Sequence, residues 1–238
     1  MNSSSFRLLV FLVLSVPCFT TAGFSQTFEY KDGRKLQIEF VQEPPCPVKI
    51  SVKSVDLTRD SDRHVIMLQI ENVSSTPIRA YGMISGGNVH PNLHTAIFGS
   101  APFAAGETIL RGVWPNSQEH YYFFFDYILF EDGSVCGLDN SRRSIQIKSY
   151  LDARAEAITR LKELVADHVY SDEIINPVTT GVDGGYLSFD NPGPPNPDTI
   201  KAMPRRAWEH VIMQLRRIEK RKKEAVVLAA RLEKEKPV

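Results

Sequence analysis

The sequence predicts a mainly β protein with carboxy-terminal helices, an antiparallel β-sandwich followed by two helices. Three observations carry that prediction. Between Phe28 and Gly137, apolar and polar residues alternate in short runs separated by turn residues. At about Ser141 the apolar period changes from 2 to 3.6, the signature of helix. Between 176 and 198 the chain holds Pro177, Pro192, Pro194, Pro195 and Pro197 with Gly181, Gly184, Gly185 and Gly193, a composition suited to a linker. The expected organisation is a signal peptide at 1–25, a β domain at 26–140, an amphipathic helix at 141–170, a Pro/Gly-rich linker at 171–198 and a basic helix at 199–238.

The leader is read from its order. A short polar start ending at Arg7 precedes an apolar run at 8–16, then Pro17 and the small residues Thr20, Thr21, Ala22 and Gly23. That order is a secretory signal peptide, and the run is shorter than the ~20 residues a membrane span needs. Cleavage is expected near 22–25, giving a secreted or periplasmic protein without a transmembrane span. Of three cysteines, Cys18 leaves with the leader, so Cys46 and Cys136 remain as an even pair in an oxidising compartment and are expected to form a disulfide.

Within the β region, Phe28 and Tyr30 alternate up to Asp32-Gly33, and Leu36, Ile38 and Phe40 continue beyond it, a hairpin signal. Val48, Ile50 and Val52 share one parity and Val55 and Leu57 the other, which a bulge near Lys53-Ser54 reconciles. Ile66, Leu68 and Ile70 form the clearest stripe, Asn72 to Pro77 is turn chemistry, and Ile78, Ala80, Gly82 and Ile84 resume. The glycine-rich stretch 85–106 reads as a long irregular connection. Residues 107–114 read as a strand, and the aromatic run 121–130 as one covered on both faces, with the helices as the cover. Over roughly residues 46–137 this pattern resembles the immunoglobulin-like and fibronectin-like sandwiches of secreted proteins. The resemblance implies a fold and no function.

In the helical part, Ile147, Leu151, Ile158, Leu161 and Val165 make one stripe with Arg154 at its edge. Trp208, Val211, Leu215, Ile218, Lys222, Ala225, Ala229 and Leu232 step by three and four, a coiled-coil seam broken only by Lys222. The half beyond Lys222 is expected to be mobile, and truncation after Lys220 to leave the melting temperature nearly unchanged.

Formal net charge is zero, which singles out no partner class. From Arg205 onward, however, eleven lysines and arginines meet five glutamates, a net of +6, so the rest carries −6. Arg216, Arg217, Lys220, Arg221 and Lys223 are the candidate contacts for an unknown protein or an acidic surface, with self-association through this helix the other possibility and no nucleic acid expected. The chain has no nucleophile-elbow, phosphate-loop or dinucleotide motif and points to no cofactor. His90 and His94, four apart, are the candidate metal ligands, with His64, Glu119 and His120 as further donors. Asp126, a carboxylate in the aromatic run, reads as an anchor for a backbone amide or an arginine. Trp114, Tyr121 and Tyr122 make a candidate sugar-stacking platform. The resulting expectation is an exported binding or assembly module without catalysis; the alternative is a metal-dependent hydrolase using His90 and His94.

Overall fold

The structure is a computed structural model that describes residues 23–29, 35–42, 45–56, 65–86, 91–98, 101–113, 120–166, 171–179, 187–189, 194–219 and 223–237. Residues 1–22 of the expected leader, His64, His90, Trp114, Glu119, Lys220, Arg221 and Lys222 lie outside them.

Strand β1 (Phe24–Glu29) pairs antiparallel with β2 (Lys35–Phe40), the predicted hairpin. The other strands are β3 (Val48–Asp56), β4 (Val65–Asn72), β5 (Ile78–Gly86), β6 (Asn92–Ile97), β7 (Thr108–Val113), β8 (His120–Phe130), β9 (Val135–Cys136) and β10 (Leu187–Phe189). They form two sheets, one of seven strands in the order β1-β2-β8-β5-β6-β10, with β9 also on β8, and one of three, β3-β4-β7. The register of β3 on β4 slips between Val52 and Ser54, where the change of parity requires a bulge.

Two expectations are corrected. The larger sheet is mixed, because β2 lies parallel to β8, pairing Gln37 with His120 and Phe40 with Phe123. A parallel neighbour comes from far away in the chain, so local hairpin signals do not reveal it. The stretch 85–106 also contains a strand, β6, in which Leu93, Thr95 and Ile97 are buried together against β5. Pro91 and the flanking glycines hide that alternation.

The core between the sheets is built from Leu36, Ile38, Phe40, Val48, Ile50, Ile66, Leu68, Ile70, Tyr81, Met83, Tyr121, Phe123, Phe125, Ile128 and Phe130. Strand β8 changes parity inside this set. Its register against β5 slips between the pairs Met83–Phe125 and Gly82–Tyr127, leaving Asp126 as the extra residue. Beyond that bulge Tyr127 and Leu129 turn to the opposite face and meet helix α1 (Arg143–Val165) through Ile147 and Leu151. The aromatic strand is therefore covered on both faces in its second half, while in its first half Tyr122 and Phe124 stay partly exposed.

Where β2 runs out, a side chain completes the pairing. Gln42 Oε1 accepts from the Phe125 backbone N–H at 3.1 Å, and its Nε2 reaches the Phe125 carbonyl at 3.5 Å. The buried main chain of β8 keeps its hydrogen bonds without a strand beside it. Nearby, Cys46 and Cys136 form a disulfide with Cα atoms 5.8 Å apart, tying the start of β3 to β9. Closing a loop between residues 90 apart stabilises by roughly 4–5 kcal/mol in the chain-entropy account. At the same end Asn72 is fully buried. Its amide donates to the carbonyls of Thr76 and Phe103, each at 3.0 Å, and accepts from Ser74. The Asn-Val-Ser triplet thus closes a turn.

The helices form a second cluster. Residues 171–198, read as a linker without regular elements, include α2 (Ser171–Thr179), which tolerates Pro177 because Ile174 and Val178 bury, and strand β10. Helix α3 (Pro197–Lys201) is capped by Asn196, whose Oδ1 accepts the Asp198 amide at 2.9 Å. The region 199–238 is not one helix. It contains α4 (Met203–Glu219) and α5 (Lys223–Glu235), which pack on each other. Arg216 reaches Glu233 and Lys236 reaches Glu209, so the two run antiparallel. Leu228, Ala229 and Leu232 of α5 are buried with Leu161, Trp208, Val211 and Leu215, and Ala225 is buried as well. The seam thus closes within the chain, and α5 is a packed element, not the mobile tail its polarity suggested. No described helix is long and apolar enough to cross a membrane.

Candidate functional site

One end of the sandwich gathers the polar and aromatic groups that the core does not use. Strand β2 begins there, β3 and β5 end there, β6 and β8 begin there, and β4 and β7 meet there as Ile66 pairs with Val113. The disulfide and the start of α1 lie toward the opposite end.

Between the sheets at this end, His94 Nε2 lies 3.1 Å from Ser85 Oγ. Tyr121 also hydrogen-bonds Ser85 through its side chain, and its pKa is raised by burial. Ser85 and Tyr121 are buried, and His94 is half-buried. The sequence offered no local reason to activate Ser85; its partner comes from the next strand, two residues out of register. A hydroxyl–imidazole contact is the first half of an acyl-transfer arrangement. Here Ser85 is only 2% exposed, and among the described residues no carboxylate hydrogen-bonds His94 to orient it. The pair serves as a buried polar joint.

Burial, and secondarily the charge of Arg111 on β7, hold the His94 pKa below its ordinary 6.5. The unfolded chain therefore binds this proton at higher pH than the folded protein does. That contribution to stability is complete above about pH 6.5 and is lost as the pH falls below it. We expect the melting temperature to drop between about pH 7 and pH 5 more steeply in the wild type than in His94→Gln. Equal slopes in the two proteins would show that His94 does not carry the effect.

The outer face of the larger sheet at this end is different in character. His120, Tyr122 and Phe124 project from β8 on the side opposite Tyr121 and Phe123. The Tyr122 and Phe124 ring centroids are 6.5 Å apart with planes 12° from parallel. Tyr122 leans over β5, where a Cβ on Gly86 would sit 2.9 Å from its hydroxyl oxygen. Glu39 of β2 stands opposite Tyr122 in register, and its Oε2 meets His120 Nε2 at 3.0 Å. Both of these side chains are more than a third exposed. Gln37, opposite His120, donates to Ser25 Oγ at 3.1 Å. Of the aromatic set singled out from sequence, Tyr121 faces the core, Tyr122 faces outward and Trp114 lies outside the described residues. Phe124 was missed, although its spacing of two from Tyr122 is the signal that places it there.

The metal-ligand expectation meets a specific geometry at His94, whose Nε2 is engaged by Ser85, while His90 lies outside the described residues. No group of three or more His, Cys, Asp or Glu side chains able to hold a metal occurs among the described residues. Of the basic candidates, Arg216 is paired with Glu233 at 3.3 Å, whereas Arg217, near the end of α4, and Lys223, at the start of α5, are exposed. No protein-family model matches the chain, and no curated protein or solved structure matches it.

Proposed function

We propose that the protein is an exported binding module of immunoglobulin-like architecture that engages its ligand at the Glu39, His120, Tyr122 and Phe124 end of the larger sheet. The carrying observation is that these four side chains remain partly exposed there while α1 covers Ala80, Ile97, Tyr127 and Leu129 further along that face. The architecture is supported by strand order. Strands β3 to β9, lettered in chain order A, B, C, C′, E, F and G, give A-B-E facing C′-C-F-G. Export is supported by the disulfide and by the apolar run at 8–16. Phe24, whose ring stacks on Phe40 at 5.7 Å, makes a start at or just before Gly23 the one that keeps β1 anchored.

The test uses the immobilised mature protein and an extract of the compartment to which it is exported. Material retained by the wild type and lost from a His120→Ala/Phe124→Ala variant is the expected result. Retention unchanged by that variant would move the binding surface elsewhere, with the Arg217 and Lys223 end of the helical hairpin next in line. Stoichiometric zinc in the purified protein would overturn the reading in favour of metal-dependent hydrolysis at His94.

A further inference from the structure

We propose that the ligand of the Tyr122/Phe124 surface is a carbohydrate, whose C–H faces stack on the two rings while its hydroxyls bond Glu39 and His120. This rests on the binding-module reading above and names its ligand class. The argument begins with shape. Near-parallel rings with centroids 6.5 Å apart along one strand place two partly exposed apolar groups side by side, a spacing that suits an extended ligand. They are held in place before any ligand arrives, because Tyr122 lies against the bare backbone of Gly86 and Phe124 stands opposite Ile84 in register. A rigid aromatic surface loses little entropy on binding.

Chemistry then separates the ligand classes. An exposed carboxylate, Glu39, sits one strand away from the rings, which disfavours phosphates and nucleic acids. That carboxylate already has His120 as a partner at 3.0 Å, so it is not waiting for an ammonium group. Two rings fall far short of the ~800 Å² per partner of a standard protein interface. A carboxylate that accepts, an imidazole that can do either and an amide from Gln37 beside apolar rings match a molecule with alternating C–H and O–H groups. Carbohydrates have that alternation; lipid chains have only the first part.

The experiment is calorimetric titration of the mature protein with chitohexaose, cellohexaose, maltohexaose and xylohexaose. Saturable binding of at least one is expected, weakened about tenfold or more in Phe124→Ala. Tyr122→Phe keeps the ring and should bind as the wild type does, while Glu39→Gln keeps the shape and should weaken binding without shifting the melting temperature. Leu110→Ala, at an exposed apolar residue of the other sheet, serves as the control and should change nothing. Absence of binding to all four sugars overturns the carbohydrate assignment, as does binding that survives both Phe124→Ala and Glu39→Gln. If extract material is still lost from His120→Ala/Phe124→Ala when no sugar binds, the binding-module reading stands and only the ligand class falls. If neither extract nor sugar is retained, both fall.

Discussion

Deletion of α5, residues 223–238, is expected to unfold the helical layer. Leu228 and Leu232 are at most 3% exposed and Ala225 and Ala229 at most 1%. The two leucines alone bury side chains worth about 3–6 kcal/mol. Their loss also uncovers the partners they pack on, Val211, Ile212 and Leu215 of α4 and Leu161 of α1. That total is comparable with the ~5–15 kcal/mol net stability of an ordinary domain. The ion pairs lost with the helix, Arg160–Glu235 at 2.6 Å and Lys236–Glu209 at 3.3 Å, lie at the surface and matter far less. Circular dichroism of the truncated protein should therefore lose more helix than the deleted segment accounts for, with rapid proteolysis inside α4. A truncated protein that melts within a few degrees of the full chain would show that α5 packs only loosely.

Asp126→Ala is expected to destabilise the protein by about 3–5 kcal/mol in urea denaturation. Asp126 is fully buried at the bulge of β8, and its carboxylate gathers the turn that starts α1. Oδ1 accepts the Asn140 amide at 3.0 Å, and Oδ2 accepts the Ser141 amide at 3.3 Å and the Ser141 hydroxyl at 2.5 Å. The Ser141 hydroxyl oxygen in turn accepts the Arg143 amide at 3.2 Å, and Asp139 accepts from Ser144. Arg142 occupies the N-cap position in a left-handed conformation, φ 52°, without a capping side chain of its own. Asp126 and Asp139 also place negative charge at the positive end of the helix. Removing the carboxylate leaves the two buried Ser141 donors unpaired and frees the partly exposed Asn140 amide. Asp126→Asn, which retains one acceptor oxygen, should lose distinctly less. A cost below about 1 kcal/mol for the alanine variant would mean that water replaces the carboxylate.

The expected role of Asp126 as an anchor was legible because a carboxylate inside an aromatic run has few other ways to be buried. Its partners were not, since they come from a turn fourteen residues later. The candidate site divides in the same way. Tyr122 stands out by composition, and the alternation of β8 implies that Tyr122 and Phe124 share a face. Which face is open depends on where α1 ends its cover and on the bulge at Asp126. Glu39 carries no signal of its own, because its relation to His120 exists only through the parallel pairing of β2 with β8. Lys222 misled for a related reason. On a continuous helix a lysine in the seam breaks the apolar face, but the described residues on either side of it form two helices that fold back on each other, and the apolar face of α5 is buried.

By itself the sequence determined what depends on neighbours in the chain. The strands with clean alternation, the bulge in β3, the change to helix after Ser141 and the helical stripe of α1 are all local, since periodicity and turn chemistry act over a few residues. Pairing Cys46 with Cys136 was also within reach, because the expected loss of Cys18 with a leader leaves one choice. Tertiary structure alone decided the parallel β2–β8 pair, the strand hidden between Pro91 and Phe98, the folding of the basic tail into a hairpin and the contact of His94 with Ser85. Each of these joins segments far apart in sequence, and burial of apolar surface has no preferred direction along the chain. The arrangement that buries the most with every polar group paired is a property of the whole fold.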